Sequence, residues 1–319
     1  MPEATTAPPS GSAVQPVRAT SRRPRRPGPP GWVALLWLGP ALALILAVVV
    51  YPAVALVRAS LARYSITGLR TGSAGFGDYR RVLHHPDLGR VLSNTAIWVV
   101  GVLVLTILAG LAVAQLLSKD FWGRRLVRWA VIVPWAASLV ITARLFTLLL
   151  DYYHGVVNEI LLDLHVISSP VDFLGSDSWI LPSMIAVGVF VSVPFTAYVF
   201  LAGLNSIPGD VYEAARMDGA TGWQTYVRIT LPLLRPALLV ATVLNIIYVF
   251  NSFPIVYTLN DRNPGFGHDT SITFMYKLAF KSSEHDVGMS AAAGVGNVLL
   301  ILVVVAVYLR FVARDEVED

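Results

Sequence analysis

Hydrophobic residues in this chain come in long blocks rather than in the short alternations of a soluble domain. Six blocks are long enough to cross a hydrocarbon core of ~30 Å, which takes about 20 helical residues. They cover 33–57, 91–117, 129–150, 179–204, 237–259 and 289–309, and each predicts a membrane-spanning helix. The third holds Pro134 and Arg144, the fourth Pro182 and Pro194, and the fifth Pro254. Prolines are tolerated in spans because neighbouring helices and water satisfy the freed carbonyls. The expected fold is all-α and integral to a membrane. Six transmembrane helices fill 32–312, between a polar stretch at 1–31 and a short tail at 313–319.

Composition agrees. Of 319 residues, 55% are hydrophobic and only 14% are charged, against roughly 25% charged in an ordinary soluble domain. An ordinary soluble enzyme is therefore excluded. The absence of cysteine removes disulfides, thiolate metal sites and cysteine nucleophiles.

Residues 1–31 are rich in Pro, Ser, Thr and Arg, and the run RRPRRPGPPG is incompatible with helix or strand. This stretch is expected to be disordered. Its arginines Arg18, Arg22, Arg23, Arg25 and Arg26 could contact nucleic acid or anionic lipid, but an apolar run follows at once, which favours a topology anchor. That run exceeds the roughly 7–15 residues of a signal-peptide core. With the N-terminus inside, the inner segments carry fourteen Lys and Arg and the outer loops nine. The excess places both termini in the cytoplasm, although loop 58–90 holds six arginines on the other side.

None of the twenty carboxylates and none of the six histidines falls inside a block. Proton- and sodium-coupled carriers usually need an ionisable group at membrane depth, so a secondary carrier is disfavoured. Backbone carbonyls could still hold sodium. An acid/base enzyme within the membrane is disfavoured for the same reason. Arg144 lies two turns before Asp151 on nearly the same helix face. It reads as snorkelling and paired with Asp151, with an anionic substrate as the alternative.

Residues 205–236, NSIPGDVYEAARMDGATGWQTYVRITLPLLRP, are too long for a plain connection. Ser206 is the expected cap of a first helix, with Pro208 and Asp210 in its opening turn. Gly219 is suited to end that helix. Thr221 with Gln224 predicts a capping box for a second helix running to about Thr230. Ala214 and Ala215 offer a small packing face, and Trp223, Tyr226 and Val227 an apolar cluster. An amphipathic hairpin lying on lipid is the plain alternative. With only Arg216 and Arg228 as cations before the prolines, a DNA-reading element is disfavoured.

The spacing Glu213-Ala214-Ala215, Gly219, Ile229, Leu231-Pro232 resembles the EAA loop of ABC-importer permease subunits. The resemblance implies a cytoplasmic helix–turn–helix coupling loop that docks into a groove on an ATPase. Glu213 would be the polar anchor, Ala214, Ala215 and Gly219 would allow close backbone approach, and Asp218 would brace the turn. The chain lacks a G-x-x-x-x-G-K-[ST] phosphate loop. It is therefore expected to hold no cofactor, with ATP and Mg bound by the partner. The wording of 212–236, with FNSFPIVYTLNDRNPGFGHDT and YKLAFKSSEHDVGMSAA, looks most like binding-protein-dependent carbohydrate permeases of the maltose, trehalose and glycerol-phosphate type. Asn263-Pro264-Gly265 replaces the family's Gly-Gly-Pro turn. The implied partners are a second homologous permease, two cytoplasmic ATPase subunits and an extracytoplasmic solute-binding protein. The implied location is a bacterial inner membrane, and no nucleic acid is involved.

A sugar path needs neutral hydrogen-bonding groups and aromatic faces. Asn245, Tyr248, Asn251 and Ser252 form a polar stripe in the fifth block, Ser192 and Thr196 flank Pro194 in the fourth, and Trp135 and Ser138 open the third. These are the candidate substrate residues. Interhelical hydrogen bonding is the plain alternative for each. The lack of clustered cations in the spans favours a neutral sugar over a phosphate ester; glycerol phosphate or another polyol-type solute is the alternative substrate. GSAGFG at 72–77 and His84-His85 read as outer loop and solvated rim. The lysine- and arginine-free loop 151–178 could meet a binding protein or simply be solvated.

Overall fold

The computed structural model describes residues 31–261, 263, 265–282 and 285–315, with side chains described between 36 and 311. The basic stretch at 1–30, Pro264 and the last four residues lie outside them. The chain divides into two units, Met1–Pro52 and Ala53–Asp319. The first carries helix α1 (Gly31–Ile45), a π-helical turn at Leu46–Val50 and the start of α2 (Tyr51–Ser60). The π register ends two residues before Pro52, where a missing N–H would otherwise leave a gap in the α ladder.

The second unit continues with a two-stranded antiparallel ribbon, β1 (Ala62–Tyr64) and β2 (Arg70–Ser73), then α3 (Gly77–Leu83). The ribbon corrects the all-α expectation. Its strands are too short for periodicity to show; Gly68, at φ +78°, makes its turn. Two long helices follow, α4 (Leu88–Ser118) and, after the elements described next, α8 (Ile180–Asn205). They form the most extensive helix pair of the unit. Gly188 lies so close to Trp98 that a Cβ would collide with the indole, and Gly110 meets Thr196 in the same way. Close approach at small residues is how helices associate in lipid, where the hydrophobic effect does not drive them together. The Trp98 indole N–H also donates to the Val249 carbonyl at 3.0 Å, tying the next helix to the pair.

The third block is not one straight helix. It breaks into α5 (Arg124–Trp135) and α6 (Leu139–Leu149), bent by 100°. Ser138, with ψ 139°, is extended and restarts the helix. A short α7 (Val156–Asp163) separates α6 from α8. Block 205–236 contains α9 (Gly209–Met217), α10 (Gly222–Thr225), a π turn at Tyr226–Thr230 and α11 (Leu231–Leu233). Pro232 again sits two residues past the π turn, so it does not end the helix at Thr230 as expected. The bend of 63° comes later, before α12 (Arg235–Phe250). The fifth block also stops short of its predicted end. It ends at Phe250, turns at Asn251-Ser252, and restarts as α13 (Phe253–Leu259), with Pro254 in the opening turn. Finally α14 (Ser271–Phe280) leads to α15 (Val287–Asp315). Among the described residues, four helices are long and apolar enough to span a membrane, or up to six when each bent pair counts as one span.

Candidate functional site

Two regions hold the residues singled out above. The first is the hairpin α9–α11. Its opening helix is capped not by Ser206 but by Pro208, which is extended at ψ 142°. Ser206 instead donates to the Gly203 carbonyl at 2.7 Å and closes α8. Gly219 adopts φ +74°, the left-handed turn residue expected of it. Thr221 and Gln224 form the reciprocal capping box, at 2.8 and 3.3 Å. Ala215 is buried, whereas Ala214, Glu213, Asp218 and Gly219 are exposed, so the two alanines serve different faces. Tyr212 reaches Thr230 across the hairpin at 3.4 Å. On the outer side Met217 is 88% exposed and Trp223 74% exposed. The rings of Trp223 and Tyr226 are tilted by 37° with centroids 6.2 Å apart. Met217 was missed in the sequence. Its only signal was a large apolar residue beside Asp218 at a helix end. A cavity of about 800 Å³, lined in part by Ser118, Lys119, Asn205, Arg216 and Tyr226, separates the hairpin from the ends of α4 and α8.

The second region holds the substrate candidates, and they separate by exposure. Ser192, Thr196, Asn245 and Ser252 are buried. The Asn245 amide donates to Thr196 Oγ1 and to the Ala241 carbonyl, both at 2.8 Å, and Thr196 donates to the Ser192 carbonyl at 3.0 Å. These three form an interhelical clamp between α8 and α12. Tyr248, Asn251, Trp135 and Ser138 are exposed instead. The Asn251 amide donates to the Ile247 carbonyl at 2.8 Å. Arg144 is exposed on α6, and Asp151 accepts from the Tyr153 and His154 backbone N–H groups.

A third cluster was invisible in the sequence. Asp269, outside the spans, is fully buried and pairs with Lys277 at 3.0 Å. It accepts from the Asn260 amide at 2.9 Å, and Lys277 donates to the Gly265 carbonyl at 2.7 Å. Burial pushes the Asp269 carboxyl above the usual carboxylate range, against the attraction of Lys277. Asn94 of α4 donates to the carbonyls of Gly267 and Asp269, so this loop is sewn to the long helices. Nearby His85 is not on a solvated rim: its ring packs edge-on against Phe266 and Phe274 at 5.2 and 5.1 Å. Among the described residues no His/Asp/Glu group is arranged to hold a metal ion.

Comparison with known proteins decides what this architecture is. Residues 106–315 match the family model for the binding-protein-dependent transport system inner membrane component. The chain belongs to that family. It is 33% identical to the trehalose/maltose transport system permease protein MalF of Thermococcus litoralis, across 91% of this chain and 96% of that one. It is 39% identical to a probable ABC transporter permease protein of Brucella suis, across 70% and 77%. Its fold matches a permease chain of a bacterial ABC transporter that imports the acidic polysaccharide alginate, at a TM-score of 0.76 and 25% identity, covering 89% and 96% of the two chains. Family members are permease subunits without an ATPase site of their own, and ATP hydrolysis belongs to a separate subunit.

Proposed function

We propose that this chain is the sugar-conducting permease of an ATP-driven importer, and that the hairpin α9–α11 is where the ATPase docks. The observation that carries the docking assignment is the exposure of Glu213, Met217, Asp218 and Trp223, while Ala215 is buried. Exposed Met217 and Trp223 supply apolar surface of the kind that a partner protein covers. ATP and Mg belong to that partner. Two ATPase copies, a second permease and an extracytoplasmic binding protein complete the assembly, with both termini and the hairpin on the cytoplasmic side. A related alginate transporter has been solved with a pentasaccharide-loaded periplasmic protein, which supports the binding-protein partner.

Relatives named for trehalose/maltose, lactose and diacetylchitobiose transport support a sugar substrate. In this chain Trp135, Ser138, Tyr248 and Asn251 supply one wall of the path, which the second permease closes. Ser192, Thr196, Asn245 and Ser252 set that wall from behind. The lack of clustered cations in the spans favours a neutral sugar over a phosphate ester.

Uptake of radiolabelled maltose, trehalose, lactose and chitobiose into vesicles bearing the whole importer tests the reading. Glu213→Lys with Gly219→Pro should abolish uptake while membrane insertion persists, because proline cannot adopt the +74° turn. Tyr248→Leu with Asn251→Leu should impair uptake with the ATPase still attached. Unchanged uptake in the first pair would refute docking, and in the second it would refute the wall assignment.

A further inference from the structure

The cavity of about 800 Å³ behind the hairpin has walls from three directions. Gln115 and the cap residue Lys119 come from the end of α4, and Asn205 from the end of α8. Tyr212, Arg216 and Tyr226 come from the hairpin. Tyr212 and Arg216 are one turn apart on α9 and both line the cavity, so the face of α9 that carries Arg216 looks into it. Among the described residues no carboxylate lines it.

These polar groups converge without being spent on one another. Tyr212 shares a hydrogen bond with Thr230. The side chains of Gln115, Lys119, Asn205 and Arg216 and the Tyr226 hydroxyl have no hydrogen-bond or ion-pair partner among the described residues. Next door, Arg124 does pair, with Asp120. The helix ends do not occupy the two cations either. The Gln115 carbonyl accepts from Ser118 Oγ and the Leu116 carbonyl from the Lys119 N–H, while Gly203 and Leu204 accept from the Ser206 and Ile207 N–H groups. Lys119 and Arg216 therefore stand on separate walls of one cavity and repel across it, unless an anion lies between them.

The lining indicates which anion. Arg forks onto phosphate oxygens and Lys supplies a point charge. The two amides and the Tyr226 hydroxyl are neutral groups of the kind that bind hydroxyls. The tyrosine rings offer flat apolar faces for a sugar ring. Leu204 is the one large aliphatic residue of the lining, which leaves little for an acyl chain.

We propose that this cavity binds a phosphate ester of a sugar, with its phosphate between Lys119 and Arg216 and its hydroxyls on Gln115, Asn205 and Tyr226. The site is separate from the sugar path. Its ligand bridges the hairpin to the ends of α4 and α8, so occupancy biases the position of the element that meets the ATPase. The assignment to the cytoplasmic side rests on the docking reading; the binding chemistry does not.

The test is isothermal titration calorimetry on the whole importer in phosphatidylcholine nanodiscs, with glucose 6-phosphate as the probe. The unaltered complex should show saturable binding, weaker binding of inorganic phosphate, and weaker still of glucose. Lys119→Gln and Arg216→Gln should each weaken the ester about tenfold, the effect of one charge-assisted hydrogen bond. Both side chains are exposed, so the fold should tolerate the changes. Gln115→Leu removes no charge; it should weaken the ester about threefold and leave inorganic phosphate unchanged. Any phosphate held on the ATPase is untouched by these substitutions. Retention of the ATPase is scored in every variant, so a failure of the docking reading is seen separately. Lys119→Gln lies outside the hairpin and carries the test on its own. Absence of saturable binding, undiminished binding in Lys119→Gln, or inorganic phosphate binding as tightly as the ester would each overturn the proposal. So would phosphatidylglycerol, in discs that contain it, being retained by the unaltered complex and lost from Lys119→Gln, because the phosphate would then belong to a lipid headgroup.

Discussion

The hairpin α9–α11 and the loop around Asp269 treat their distinctive residues in opposite ways. The hairpin turns Glu213, Met217 and Trp223 outward and keeps small Ala215 inward. The loop turns Asp269 inward and satisfies it with Lys277 and Asn260. A large apolar residue left mostly exposed offers surface to another molecule. A residue whose partners are all internal holds the chain in shape. The contrast separates residues that act on partners from residues that position them, and substitutions can test it.

The largest effect on stability is expected at Asp269→Ala, which leaves half-buried Lys277 without its carboxylate partner. Breaking such a pair costs about 3–5 kcal/mol, measurable as a fall in thermal unfolding temperature of the purified complex. The pH dependence has a defined sign. The folded carboxyl titrates above its unfolded value, so its contribution to stability is present at low pH and declines as pH rises through the folded value. The stability of the unaltered protein relative to Asp269→Asn should therefore fall as pH rises from the unfolded through the folded value of this carboxyl. A rise instead would mean that attraction to Lys277 outweighs burial.

Next comes the α8–α12 clamp. Asn245→Leu should cost about 1–2 kcal/mol, and a cycle with Thr196→Val should show coupling of about 0.6 kcal/mol, as for hydrogen bonds between helices in lipid. Additive single changes would show that the 2.8 Å contact contributes nothing. In the hairpin, Thr221→Ala removes the cap and should cost about 1 kcal/mol of local stability, seen as faster amide exchange over 222–230. The smallest stability effect is expected at Met217→Ser, within about 0.5 kcal/mol, although uptake should fall. A large loss of stability there would mean the methionine packs inside the chain, and the contrast between the two regions would dissolve.

Much of the fold was legible because long apolar blocks report burial in lipid residue by residue. Helices α4, α8 and α15 follow their blocks closely, and the Thr221 capping box and the Gly219 turn were evident from local chemistry. The breaks at Ser138 and Asn251-Ser252 were not. Both lie inside apolar runs, and hydropathy does not register a change of direction when both limbs remain apolar. The prolines marked strain without showing where the helix would restart. The site was half legible. Asn245, Thr196 and Ser192 were picked as polar residues in spans, but their mutual bonding across 49 positions is a tertiary fact. Nothing local in the sequence marked Asp269, because its side-chain partners Asn260 and Lys277 stand nine and eight positions away on other segments.

The most direct measurement of the central claim is retention of the ATPase by this permease during affinity purification of the assembled complex. The pair Met217→Asp and Trp223→Asp alters only the exposed face of the hairpin. The docking account predicts that the unaltered chain keeps the ATPase, and that the double variant, equally well inserted and folded, loses it. Full retention of the ATPase by that variant would contradict the account.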